Sequence, residues 1–130
     1  MRHLKTLTII VLLAFTSILK AQTKEEKNFI GKWLTEDKTL TIEIYKDNGM
    51  FYGKVIKDTN PKTKKGLPSV GQIMVIEMKL KGKNLEGGTI KDIDTGKEYD
   101  AKLVPIDNNK IRLKISVMLI SYNEIWTRQV

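Results

Sequence analysis

The sequence predicts an all-β fold: one small antiparallel up-and-down barrel of about eight strands, following an N-terminal signal peptide. Three observations carry that expectation. Past residue 30, apolar and polar residues alternate with a period of two, as in Leu40-Thr41-Ile42-Glu43-Ile44-Tyr45, the mark of a half-buried strand. Turn-forming residues recur at short intervals, beginning with Asp47-Asn48-Gly49. Helical patterning is confined to Lys24–Ile30, enough for one turn ahead of the domain. Antiparallel strands in sequential order leave two unpaired edges in an open sheet, and closure into a barrel removes them. A two-sheet sandwich is the alternative.

The N-terminus comes first in the chain and is the clearest segment. Arg2, His3 and Lys5 precede an apolar run from Leu7 to Leu19, and Lys20-Ala21-Gln22 opens a polar stretch. A basic start, a short apolar core and a small residue at the exit describe a signal peptide cleaved at Ala21–Gln22. The run is too short for a retained helical anchor, which takes roughly 20 apolar residues. The expected organisation is residues 1–21 as signal peptide, 22–30 as a lead-in and 31–130 as a single barrel domain. Such a protein is exported, to the periplasm or beyond, with no stable membrane insertion after cleavage.

The strands follow in order. A short opening strand surrounds Trp33. Leu40–Tyr45 and Met50–Ile56 flank Asn48-Gly49, the strongest short hairpin signal, because both residues tolerate positive φ. A two-residue turn there sets Ile44 against Gly53, Ile42 against Val55, Tyr45 against Tyr52 and Glu43 against Lys54. Leu40, Ile42, Ile44, Phe51 and Val55 then share one face, and a slip of one residue would scramble both faces. The remaining strands are read at Ile73–Leu80, Leu85–Lys91, Glu98–Val104, Ile111–Val117 and Tyr122–Arg128. The one long connection, Asp58–Ser69, carries two prolines and three lysines; such a loop is either functional or merely mobile, and the mobile reading is preferred.

Composition removes most catalytic chemistry. The chain has no cysteine, and its single histidine, His3, lies in the leader. Thiol catalysis, a Ser-His-Asp triad and an imidazole-ligated zinc site are therefore all unavailable to the mature chain. Glycines 82, 87 and 88 do not open a helix, so no phosphate-binding loop is expected. Glu43 and Glu86 are the carboxylates considered for acid–base work, and strand carboxylates belong on the wet face. Asp92-x-Asp94-x-Gly96 hints at a calcium loop but lacks its downstream ligands and reads as a hairpin turn. The four tyrosines, Tyr45, Tyr52, Tyr99 and Tyr122, read as bridges from core to solvent, with cavity lining as the other reading. Cleavage removes Arg2, Lys5 and Lys20 and no acid, so the formal charge of +8 falls to +5. The remaining lysines are interleaved with acids, which does not describe a nucleic-acid-binding face.

An ordered set of short motifs carries a resemblance: Gly31-Lys32-Trp33-Leu34, Ile42-Glu43-Ile44-Tyr45, Gly53-Lys54, Asn60-Pro61, Pro68, Gly71, Leu85-Glu86-Gly87-Gly88-Thr89-Ile90, Gly96-Lys97-Glu98-Tyr99 and Trp126-Thr127-Arg128. The chain resembles the uncharacterised bacterial family known as domain of unknown function 2147, from Gly31 to Arg128. It departs from that pattern at Ser116-Val117-Met118-Leu119-Ile120-Ser121, which is bulkier than the family's glycines and polar residues there. More distantly, it is similar to lipocalin and fatty-acid-binding barrels. In those an opening Gly-x-Trp meets an arginine of the last strand, which implies that Trp33 and Arg128 join the ends of the barrel. A guanidinium over an indole is worth about 0.5–2 kcal/mol.

The expected function is that of an exported, non-enzymatic barrel holding a small apolar or amphipathic ligand, with no catalytic residue, cofactor or metal assigned. The alternative is a structural or interaction module of the cell envelope with a filled core. No ligand-binding residue and no protein partner is assigned.

Overall fold

The computed structural model describes residues 22–60 and 68–130. The predicted signal peptide lies outside the described residues, as does the centre of the Asp58–Ser69 loop. The described residues open on one helical turn, α1 (Lys24–Lys27). Thr23 caps it: the side-chain oxygen accepts from the Glu26 backbone N–H at 3.2 Å, satisfying one of the donors a helix start leaves open. Eight strands follow: β1 (Gly31–Leu34), β2 (Leu40–Asp47), β3 (Met50–Asp58), β4 (Ile73–Lys81), β5 (Asn84–Lys91), β6 (Glu98–Asp107), β7 (Lys110–Val117) and β8 (Ile120–Gln129).

Each strand pairs antiparallel with its neighbour in sequence, and β1 also pairs with β8, closing the barrel. The β2–β3 register has Ile44 opposite Gly53, Ile42 opposite Val55, Tyr45 opposite Tyr52 and Glu43 opposite Lys54, as the hairpin turn requires. Asn48 and Gly49 both take positive φ, at 54° and 83°. Ile42, Ile44, Phe51 and Val55 are buried together. Gly53 lies inside as well. A Cβ there would come within 2.7 Å of Val75 and 2.9 Å of Ile42, so only glycine lets those two side chains fill the space between them.

Most strands run one to three residues beyond their expected bounds, and two of these extensions are informative. β6 runs past Val104 to Asp107, because Pro105 sits beside a register shift where its missing N–H is tolerated. β8 starts at Ile120 rather than Tyr122, so the bulky stretch after β7 is a hairpin tip with Val117 paired to Ile120.

The up-and-down order sorts the turns to two ends. α1 and the β2–β3, β4–β5 and β6–β7 turns sit at one end. The β1–β2 turn, the long β3–β4 connection, the β5–β6 turn and the β7–β8 tip sit at the other. The first end is packed solid: Phe29, Trp33, Phe51, Leu85 and Ile111 are each at most 1% exposed.

Candidate ligand cavity at the open end

Inward positions toward the second end do not close over one another. They line a cavity of about 400 Å³. Its walls are aliphatic, from Leu40 (β2), Met74 (β4), Ile90 (β5) and Leu113, Ile115 and Val117 (β7). Tyr99 of β6 and Tyr122 of β8 add hydroxyls beside that surface. The rim is acidic. Among the described residues, Asp37, Asp58, Asp92, Asp94 and Glu124 line the cavity, against one cation, Lys91. An acidic mouth on a chain of net positive charge is a local arrangement, made by Asp37, Asp92 and Asp94 of the turns at this end together with Asp58 of β3 and Glu124 of β8.

Glu124 is the functional group that sequence reasoning missed. It shares the inward parity of β8 with Trp126 and Arg128, and this spacing was the signal available. Burial pushes its carboxyl above the usual glutamate range; the Trp126 indole N–H, which donates to Glu124 Oε1, pulls it part of the way back, and the charges of Asp37 and Glu36 raise it further. Asp37 differs. Burial alone would raise it, but the Thr39 backbone N–H at 3.0 Å and the Thr35 and Thr39 hydroxyls at 2.8 Å hold its carboxyl below the ordinary value. One acid at the mouth is thus firmly anionic while its inward neighbour gives up charge more easily.

The carboxylates of Asp58 and Asp92 are tied into local structure. Asp58 accepts from the Ser69 hydroxyl and, at 2.7 Å, from the Asn60 N–H, joining the two ends of the long connection. Asp92 accepts from the N–H groups of Asp94 (2.9 Å) and Thr95 (3.3 Å), and Gly96 completes the turn at φ 75°. Among the described residues no three His, Cys, Asp or Glu side chains are placed to hold a metal ion.

Glu43 and Glu86 are kept apart. Glu43 lies opposite Lys32 and Lys54. Glu86 sits opposite Lys79 and forms an ion pair with Lys102 at 3.3 Å. Neither lines the cavity. The tyrosines divide: Tyr45 and Tyr52 stack on each other at 5.9 Å away from the cavity, whereas Tyr99 and Tyr122 line it.

At the packed end the Arg128 guanidinium lies 4.4 Å from the centre of the Trp33 ring. Its N–H groups donate to the carbonyls of Ile30 (2.8 Å), Lys27 (3.1 Å), Asn28 (3.3 Å) and Asn108 (2.8 Å). The Trp33 indole N–H donates to the Phe29 carbonyl at 2.7 Å. Gly31 leaves the room, since a Cβ there would fall 2.6 Å from Arg128 Nη1. Toward the cavity, β1 ends at Leu34 and the Glu36 carboxylate continues its edge, accepting from the Ile125 N–H at 3.2 Å.

Comparison with known proteins places this architecture. The family model described as an uncharacterised protein conserved in bacteria, DUF2147, matches residues 31–128. The chain belongs to the DUF2147 family. Protein HP1028 from the human pathogen Helicobacter pylori, described as belonging to the lipocalin family, is a solved structure similar to this DUF2147 chain. They share 19% identity and a TM-score of 0.66, over 78% of this chain and 83% of that one. At that identity the likeness is one of fold, so this DUF2147 protein is a lipocalin-like barrel. No curated protein matches the sequence.

Proposed function

We propose that this DUF2147 protein is an exported, non-catalytic binder of a small amphipathic molecule. The apolar body lies against Leu113, Ile115 and Met74, and a cationic or donor-rich head meets the carboxylate rim. The observation that carries this reading is the cavity of about 400 Å³ with an aliphatic wall and, among the described residues, a mainly anionic mouth. Small-molecule sites are concave and largely apolar, typically about 300–1,000 Å³, with a few placed polar groups. An eight-stranded barrel has room for one such ligand.

Binding is favoured over catalysis by the residue inventory. The chain after residue 21 has neither cysteine nor histidine, and Glu43 and Glu86 face lysines rather than each other. Export is favoured by the leader-like N-terminus, which puts the open end in an extracytoplasmic space.

Native mass spectrometry and solvent extraction of the purified protein test whether a molecule co-purifies. Titration with dodecylamine and dodecanoate then reads the head-group preference. The amine is expected to bind at least tenfold more tightly. Preference for the carboxylate overturns the assignment of the head, and failure of both probes with nothing co-purifying overturns the binding reading.

A further inference from the structure

The β7–β8 hairpin turns on residues that a turn does not favour. Val117 pairs with Ile120, leaving Met118 and Leu119 as the connection. Met118 has φ +55°, a left-handed conformation that Gly and Asn adopt readily and a longer side chain adopts at a cost in stability. The β2–β3 and β4–β5 turns meet the same need with Asn48 and Gly82, at φ 54° and 62°. Met118 and Leu119 are also fully in water, at 98% and 103% exposure, with Ile120 at 57% and Tyr122 at 55%. Neither the backbone strain nor the exposed apolar surface helps the barrel fold. Strain kept at such a point directs attention to function.

We propose that this tip is a membrane-contact site. Met118 and Leu119, with Ile120 behind them, enter the boundary between headgroups and acyl chains and hold the open end of the barrel against a lipid bilayer. Position supports this, because Val117 and Tyr122 on either side of the tip line the cavity. A molecule leaving the bilayer there would meet apolar wall without crossing open water. Size separates a bilayer from a protein partner. A standard protein interface buries about 800 Å² on each side, whereas the tip offers three side chains on a ribbon whose flanks, Ser116, Ser121 and Asn123, are exposed and polar. A bilayer requires only the side chains that enter it. Tyr122, apolar in body and polar at its end, suits the headgroup level.

The contact is peripheral. Lys32, Lys54, Lys79 and Arg112 stand exposed on the barrel wall, where a spanning barrel would carry an apolar band. Among the described residues no helix is long and apolar enough to cross a membrane. Among the described residues the charge at this end is mixed, with exposed Lys38 and Lys97 in the same turns' ring as Asp92 and Asp94, so a surface without net charge isolates the apolar insertion.

Co-sedimentation with phosphatidylcholine vesicles tests the proposal, since a zwitterionic surface removes the general pull of the lysines. The comparison is the wild type, as purified after export, with Met118→Asn/Leu119→Gly, which installs the residues a tight hairpin prefers and keeps the fold. The variant is expected to lose at least tenfold in partitioning without any fall in melting temperature. Equal partitioning of the two, or no partitioning by the wild type, overturns the proposal. Concentration-dependent self-association that the variant abolishes also overturns it and assigns the tip to a second copy. No ligand is added, so the outcome is independent of what the cavity holds.

Discussion

The two ends of the barrel are built from the same alternating strands and finish differently. At the closed end the inward residues are large and capped: α1 brings Phe29 over the opening, and Arg128 clamps the lead-in to the last strand through three of its carbonyls and the Trp33 ring, with a fourth bond to Asn108 of the β6–β7 turn. At the open end the inward residues are mostly mid-sized aliphatics, and the surrounding turns carry carboxylates. Packing therefore concentrates at one end, and the other keeps space. The lesson is that stability and binding are spatially separated in this molecule, so substitutions should sort by end.

The largest expected effect is at the closed end. Trp33→Ala removes a fully buried ring, the indole bond to Phe29 and the surface under Arg128. Such truncations cost about 3–5 kcal/mol, and urea denaturation is expected to show a loss of that size. A loss under ~1 kcal/mol would remove the closed end as the stabilising region.

Next comes Arg128→Lys. A lysine keeps the charge but is a point donor and cannot hold four carbonyls while lying over a ring. Hydrogen bonds from a charged group contribute about 1.5–3 kcal/mol, so the variant is expected to lose stability in that range by thermal melting. Full recovery by lysine would mean that charge alone matters there.

Ile115→Trp addresses the open end. A larger side chain enters empty space instead of overpacking a filled core, so the change in stability is expected to stay within about 1 kcal/mol. Binding of dodecylamine is expected to disappear. A variant that unfolds while its binding persists would reverse the assignment of the two ends.

Glu124→Gln gives the smallest effect and sharpens the electrostatics. The folded carboxyl titrates above its unfolded value, so the fold prefers its protonated form. Wild-type stability is highest below the unfolded value, falls as pH rises toward the folded one, and is flat beyond it. The glutamine variant is expected to lack that step and to match or slightly exceed the wild type at neutral pH. A calorimetric pH series checks this, and an unchanged step would assign the titration to another group.

Much of this architecture is legible in the sequence. Leu40 to Tyr45 shows its inside and outside by alternation alone, and Asn48-Gly49 pins the register of the first hairpin. The eighth strand was harder to bound, because Met118-Leu119 lacks the residues that normally announce a turn. That turn forms because β7 and β8 pair without a slip from Lys110–Thr127 to Val117–Ile120. Glu124 was hidden for a different reason. An acid in a strand is expected on the wet face, and here its parity with Trp126 outweighs its charge because Trp126 and the open cavity accept it.

By itself, then, the chain determined which side of each strand faces inward and how the β2–β3 neighbours pair, since both follow from a period of two and local turn chemistry. Only the tertiary structure decided which inward residues meet in a solid layer and which line a void. That depends on how the strands are staggered around the closed barrel, a long-range relation between β1 and β8 that no local pattern encodes.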